Sequence, residues 1–208
     1  MKRSDKWMIL ILAAAMMLAS AAALAVTLEP ERTDIGPLAG ATVHATVAEY
    51  DENEKVFTVI LYGNDRYERE KAEALTAGDI LLAGGELHRM TGKEPLGDDT
   101  VYLFEGGEEI MFVPAEDGSV LAESTDDDRQ FMHVCGIMKL PAAENIRLED
   151  ASDPDREEAV VTAGLADILK VKADLEETSN GLNYYATVIT LNGDLEISVI
   201  NRMFDVAQ

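Results

Sequence analysis

The residues best suited to chemistry are few: one cysteine, Cys135, and three histidines, His44, His88 and His133. A thiol nucleophile needs a base within hydrogen-bond reach, and the base in turn needs a group to orient it. His133 and Cys135 are separated by one residue in a run of strand character. On a regular strand such side chains share a face but stand roughly 6.5–7 Å apart, too far for proton transfer. The spacing therefore places any base for Cys135 at His44 or His88, and it leaves a buried small hydrophobe as the alternative role for this cysteine. The same four side chains have the softness of transition-metal ligands, but they are scattered singly apart from the His133 and Cys135 pair.

Oxygen ligands are denser. Asp126, Asp127 and Asp128 form one cluster, and Asp150, Asp153, Asp155 and Glu157 form another. Extracellular modules can hold calcium weakly with such groups, although neither cluster has the glycine and spacing of an EF-hand loop. Calcium is the only cofactor the sequence leaves open, against a reading of both clusters as solvated acidic loops. Gly84-Gly85 and Gly106-Gly107 lack the lysine and helix start of a phosphate cradle and read as hairpin turns. No serine lies in a Gly-x-Ser-x-Gly elbow. Paired carboxylates arise here from composition alone and carry no glycosidase signal.

The amino terminus sets the compartment. Lys2, Arg3 and Lys6 precede an apolar run over residues 8–18, and a small-residue stretch ends in Ala23-Leu24-Ala25. This is the order of a secretory signal peptide, residues 1–25, with cleavage expected after Ala25. An uncleaved anchor is the rival, since residues 7–26 supply about the 20 residues a bilayer requires. Either way the positive end stays inside and the rest is sent across. The protein is thus expected to be secreted or held at the cell surface.

Charge narrows the partners. The chain has 17 basic and 40 acidic residues, a formal net charge of -23. The leader holds three of the basic groups and one acidic group, leaving 14 against 39 and a charge near -25 for the remainder. Such a field repels phosphate backbones and anionic lipid, which excludes nucleic acid and any membrane contact beyond the N-terminal segment. Apolar content of 47% is enough for a packed core. A lone cysteine in an oxidising compartment cannot form an intramolecular disulfide, so the core must hold the fold.

The pattern along the chain is that of short strands. Residues 26–40, with Pro30 and Gly36-Pro37, read as a linker. Val43, Ala45 and Val47 alternate with polar residues, and residues 56–62 are β-branched and aromatic after a polar turn, which predicts a hairpin. Asn64 or Asp65 can cap a short helix ending near Leu75. Hairpins about Gly84-Gly85 and Gly106-Gly107 follow, then strands over 119–123, 131–140 and 145–148. The acidic stretch 149–158 reads as a linker between a β-rich domain, 41–148, and a C-terminal unit, 159–208. That unit is a helix over 163–177, capped by Thr162, and a hairpin whose Asn192-Gly193 suits a type I′ turn. The fold class is mainly β (α+β): an antiparallel barrel or sandwich of short hairpins, with a C-terminal helix plus β-hairpin packed on it.

Two segments carry a resemblance. Residues 181–193 with Leu195-Glu196-Ile197 resemble the last hairpin of uncharacterised exported proteins of Gram-positive bacteria, and residues 77–86 look like a strand-turn-strand step of small β-barrels. This resemblance implies a kind of protein and no activity. The run His133-Val134-Cys135-Gly136 invites comparison with the Ser-His-Gly-Cys motif of L,D-transpeptidases. The match fails because the glycine follows the cysteine, no serine precedes His133, and the usual arginine is missing.

Two functions remain. The first is a non-catalytic, acidic binding or interaction module of the cell envelope or extracellular space, facing a protein or cell-wall ligand. Its only tryptophan, Trp7, lies in the leader, so aromatic contact would fall to Tyr50, Tyr62, Tyr102, Tyr184 and Tyr185. The second is a cell-envelope hydrolase or transpeptidase using Cys135.

Overall fold

The computed structural model describes residues 25–31, 37–97, 99–179 and 181–203. All but Ala25 of the expected leader lies outside them. No helix among the described residues is long and apolar enough to cross a membrane.

The alternation at residues 42–47 produces what it predicts. In β2 (Thr42–Asp51) and β3 (Val56–Asn64), Val43, Ala45, Val47, Phe57, Val59 and Leu61 turn inward and are buried. Asp51 closes the turn between them, its Oδ1 accepting the N–H groups of Asn53 and Glu54 at 2.8 and 3.0 Å. The stretches 131–140 and 145–148 belong to one strand, β10 (Met132–Ala151), 20 residues long. Its first half pairs antiparallel with β3. Its second half pairs in parallel with β13 (Ile197–Met203) and antiparallel with β11 (Val160–Ala163). β12 (Thr187–Leu191) lies between β13 and β2. The path β2-β3-β10-β13-β12 returns to β2, so this sheet closes into a five-stranded barrel. Three successive barrel strands are joined by a fourth that comes back beside the first, a Greek key, and the result is a barrel of the OB type.

A helix, α2 (Leu165–Thr178), covers one end of the barrel. Ile168 is fully buried, and Leu165, Leu169, Val171 and Leu175 pack on the barrel core. Lys172 is buried as well; its ammonium donates to Ala48 O at 2.6 Å and pairs with Glu176.

Between β3 and β10 the chain departs to build a second sheet. It contains β4 (Arg66–Tyr67), β5 (Ile80–Ala83), β6 (Glu86–Leu96), β7 (Asp99–Phe104), β8 (Glu109–Pro114) and β9 (Val120–Ser124). A short helix, α1 (Arg69–Ala74), follows β4. The strand order is β1-β5-β6-β7-β8-β9-β4, where β1 is Thr27–Leu28 in parallel with β5. A bridge between Glu31 and Arg66 joins the two edge segments, so this sheet also curls around a core of its own, built on Tyr67, Leu81, Met90, Phe104 and Ile110. The glycine-pair hairpins appear where the sequence placed them.

Several local expectations are corrected. Part of the segment 26–40 is strand, because the Val26 carbonyl and β1 hydrogen-bond to β5. Residues 149–151, expected to begin an acidic linker, continue β10, where Asp150 is neutralised by Arg202 of β13. Val160–Ala163 is strand, so the helix starts later, with Gly164 and not Thr162 at its cap. Neither Asn192 nor Gly193 adopts positive φ; Leu195 does, at 62°. Asn192 Oδ1 accepts the N–H groups of Asp194 and Glu196, drawing the loop into a longer turn than type I′. Asp65 caps no helix: α1 follows Glu68 without a side-chain cap, and Asp65 is drawn instead into the interior.

Candidate functional site

The chain leaves the barrel at Asp65 and re-enters it at Phe131, and these two points are tied together by Asp65 N–H donating to Phe131 O at 2.8 Å. The Asp65 side chain is fully buried. Its Oδ2 accepts the Gly84 N–H at 2.5 Å, and its Oδ1 lies 2.6 Å from His133 Nδ1. Against a carboxylate acceptor, Nδ1 is the donating nitrogen and Nε2 is the one that faces away from Asp65. Gly84 holds φ at 59°, and a Cβ there would come within 3.2 Å of the Phe131 ring. The turn 84–85 can therefore approach Asp65 only with glycine at its first position. One carboxylate thus joins β3, β10 and the second sheet.

His133 Nε2 faces Cys135 Sγ at 3.7 Å. This corrects the spacing argument, which assumed a regular strand. The register of β10 against β3 shifts between Val134 and Gly136, so Cys135 is the extra residue of a β-bulge, and a bulge re-aims its side chains. The group beside the thiol is therefore His133, and His44 and His88 lie elsewhere. His44 Nδ1 is 3.1 Å from Tyr184 O on the barrel's outer face. His88 is held in the second sheet between Ala83 O and the Glu108 carboxylate. The sequence holds no signal for a bulge at 135, and Asp65 was legible only as a cap.

The trio has the connectivity of a nucleophile, a base and an orienting acid. Its electrostatics oppose that use. Burial first, and then the nearby Asp65 charge, push the Cys135 thiol above its ordinary value, which disfavours the thiolate that attacks.

A cleft of about 370 Å³ opens a short distance away, between the second sheet and the barrel. The second sheet contributes Gly84, Glu86, His88 and Glu108, the returning segment Asp127, Arg129 and Gln130, and the barrel Tyr184 and Tyr185. Cys135 and His133 are not part of its walls. The tyrosines form a stack: Tyr62 and Tyr184 have ring centroids 3.9 Å apart at 13°, and Tyr184 and Tyr185 are 3.9 Å apart at 34°. The Arg129 guanidinium sits 4.5 Å over the Tyr185 ring. Burial, followed by the hydrogen bond with Tyr185, raises the Tyr184 phenol well above its ordinary value. Asn183 Oδ1 accepts the Tyr185 and Ala186 N–H groups, and Thr46 Oγ1 accepts the Tyr184 N–H, so the backbone that presents the pair is fixed. Tyr50 and Tyr102 are engaged elsewhere, against Phe57 and Phe112.

The chain matches no protein-family model, no curated protein and no solved structure.

On one flank of the stack the barrel exposes apolar surface. Val134 and Ile137 of β10 are 55% and 68% exposed, in register with Tyr62 and Ile60 of β3. The acidic clusters sit apart from this surface or are neutralised: Asp127 pairs with Arg129, Asp150 with Arg202 and Asp153 with Arg156. Asp126, Asp128 and Asp155 join no arrangement of three metal-ligating side chains among the described residues.

Proposed function

We propose that this is an exported, non-catalytic binding module of the cell envelope or extracellular space, and that its ligand is uncharged or positively charged, a glycan or protein segment of the envelope. The observation that carries the reading is the Tyr62, Tyr184 and Tyr185 stack at the wall of a polar cleft. The ring edges of Tyr184 and the exposed part of Tyr185 supply apolar contact, braced by Tyr62 behind them, while the phenols, Gln130 and the carboxylates supply hydrogen-bonding groups, the mixture that orients ligands in small pockets. The cleft volume lies near the lower end of the range for such sites, which suits one end of a longer ligand continuing over Val134 and Ile137. OB-type barrels offer the face of their second and third strands, here β3 and β10, to extended ligands. That support is by analogy of fold. The net charge of -23 argues against nucleic acid or an anionic polymer.

The test is a thermal-shift and binding panel of neutral glycan fragments, amino-sugar glycans, basic peptides, an anionic wall polymer and calcium, since a ligand of the native state alone must raise stability. A neutral or cationic member should raise Tm, and Tyr184→Ala should weaken its binding about tenfold, the worth of a lost aromatic contact. A panel that shifts only with the anionic polymer, or binding untouched by Tyr184→Ala, would overturn the reading.

One observation favours a second reading, a thiol-dependent hydrolase or transpeptidase: Asp65, His133 and Cys135 are linked in order at 2.6 and 3.7 Å. It requires Cys135 of the folded protein to react with iodoacetamide near neutral pH faster than a free cysteine. Labelling that waits for unfolding removes it.

A further inference from the structure

Among the described residues, the hydrogen bonds of the N-terminal segment begin at Val26. Val26 N–H donates to Asp79 Oδ1 at 2.9 Å, and Val26 O accepts the Ile80 N–H at 2.8 Å. From there Thr27 and Leu28 pair with Ile80 and Leu81, Leu28 enters the second core at 6% exposure, and Glu31 N–H donates to Arg66 O at 2.7 Å. Asp79 is prepared for its role by its own turn. Its Oδ2 accepts both the N–H and the hydroxyl of Thr76 at 2.8 Å, which fixes the carboxylate and aims Oδ1 at Val26. Val26 itself is 61% exposed, so its nitrogen is at the surface.

The small-x-small motif Ala23-Leu24-Ala25 marks the bond just before this nitrogen as a peptidase site. Cleavage at that motif would place the new terminus on the nitrogen that Asp79 already holds.

We propose that an export peptidase hydrolyses the Ala25–Val26 bond and that the new Val26 α-ammonium is received by the Asp79 carboxylate, which anchors the mature N-terminus to the edge of the second sheet. In the hydrolysis, water adds its oxygen to the Ala25 carbonyl carbon and the C–N bond breaks. Ala25 leaves as a carboxylate, and the Val26 nitrogen takes up protons to become an ammonium. The neutral N–H donor to Asp79 becomes a charged one, and hydrogen bonds between ionised partners are shorter and stronger than neutral ones. The N–H groups of Val26 and Thr76 already hold the Asp79 carboxyl below its usual range, so it is ionised to receive the charge. The other charged groups lining this surface are Glu29, Glu31, Glu68 and Lys71, with Arg89 nearby on Gly78 O. Three carboxylates against two cations, Lys71 and Arg89, leave a small negative excess that favours a cationic terminus. Closure of the second sheet then depends on the anchored strand, because β1 and Glu31 supply its last pairings.

The inference rests on export and is independent of the cleft. The full-length chain is produced in an exporting bacterial host, the exported protein is collected, and its N-terminus is sequenced. The expected start is Val-Thr-Leu-Glu-Pro. The α-amine is then titrated by reductive methylation. In the wild type it should titrate above the ordinary α-amino range of about 7.7–8.0, and at pH 7.5 it should react about threefold more slowly than in Asp79→Asn. Selective acetylation of the wild-type α-amine, which removes the charge without touching Asp79, should lower Tm and serves if Asp79→Asn does not fold. A different first residue, a retained leader, an α-amine titrating in the ordinary range, or an unchanged Tm on acetylation would each overturn the proposal. A flat ligand panel would leave it standing.

Discussion

Replacing Asp65 with alanine should destabilise the protein more than any other single polar substitution at the joint between its two sheets. The side chain is fully buried and accepts two hydrogen bonds, from Gly84 N–H and from His133. Hydrogen bonds to charged groups contribute about 1.5–3 kcal/mol each, and removing one partner of a buried pair costs about 3–5 kcal/mol. The His133 side chain is 23% exposed and recovers some hydration, so the lower end, about 3 kcal/mol, is expected. For a chain of this size that lowers Tm by roughly 6–12 °C. Asp65→Asn separates charge from shape. Its amide oxygen can still accept the Gly84 N–H, and His133 can change tautomer to accept from the amide nitrogen, so a loss of only about 1 kcal/mol is expected. The assay is urea unfolding of both variants with the slope compared to wild type, so that a change in midpoint reads as stability. A loss below about 1 kcal/mol for Asp65→Ala, or equal losses for the two variants, would refute the claim that this carboxylate ties the sheets together.

Three further outcomes follow from the same packing. Ile168→Ala, which empties a fully buried site where α2 covers the barrel end, should cost about 2–5 kcal/mol in urea unfolding. Leu195→Gly should stabilise the fold by up to about 1 kcal/mol, read as a higher urea midpoint, because leucine holds a left-handed conformation at φ 62° that costs L-residues energy. Stability against pH should show a plateau with two flanks. Asp51, Asp79, Asp117, Asp127 and Asp167 are held below their ordinary values, by the Glu54 N–H, the Val26 N–H, the Ser119 hydroxyl, Arg129 and Lys170 respectively. Their contribution is present above the usual carboxylate range and is lost as pH falls through their folded values. Tyr67 and Tyr184 are raised, first of all by burial, so theirs is present below about pH 10 and is lost as pH rises further. A Tm that climbs below pH 4 or above pH 10 would contradict this.

The strands were legible because their signals are local. Period-two alternation at Val43, Ala45 and Val47 and the glycine pairs at 84–85 and 106–107 fix hairpins from a few residues of chain. The pairings that make the barrel are of another kind. β10 runs in parallel with β13 across the helix α2, and β12 returns beside β2 from more than 130 residues away in sequence. Such contacts are set by which faces bury together, and no short motif encodes them. The charge on Asp150 looked like linker chemistry because its partner, Arg202, is 52 residues distant. The site was hidden for the same reason. His133 and Cys135 were dismissed on regular strand geometry, and one bulge moved them together. Tyr184 and Tyr185 were visible as aromatics, but their stacking on Tyr62 follows only from the closure of the barrel.

The position of the second sheet gives the joint a role beyond stability. Its 67-residue stretch, from Asp65 to Phe131, is inserted between the two barrel strands that carry the exposed apolar face, β3 and β10. The sheet therefore leaves and rejoins the barrel at one end of that face. The cleft has one wall from each body, and the turn 84–85 forms part of its lining. That same turn is the one held by Asp65. A ligand that touches Tyr184 and Tyr185 on one side and the 84–86 turn on the other binds only when the two bodies are held in register. Its affinity is then reduced by whatever fraction of molecules lack that arrangement. Loosening the joint should weaken binding without changing a single residue that meets the ligand, whereas loosening α2 at the far end of the barrel should lower stability and leave the affinity of the folded protein intact. The buried carboxylate, read from sequence as a helix cap and from geometry as the third member of a catalytic trio, is on this argument a positioning residue for the cleft.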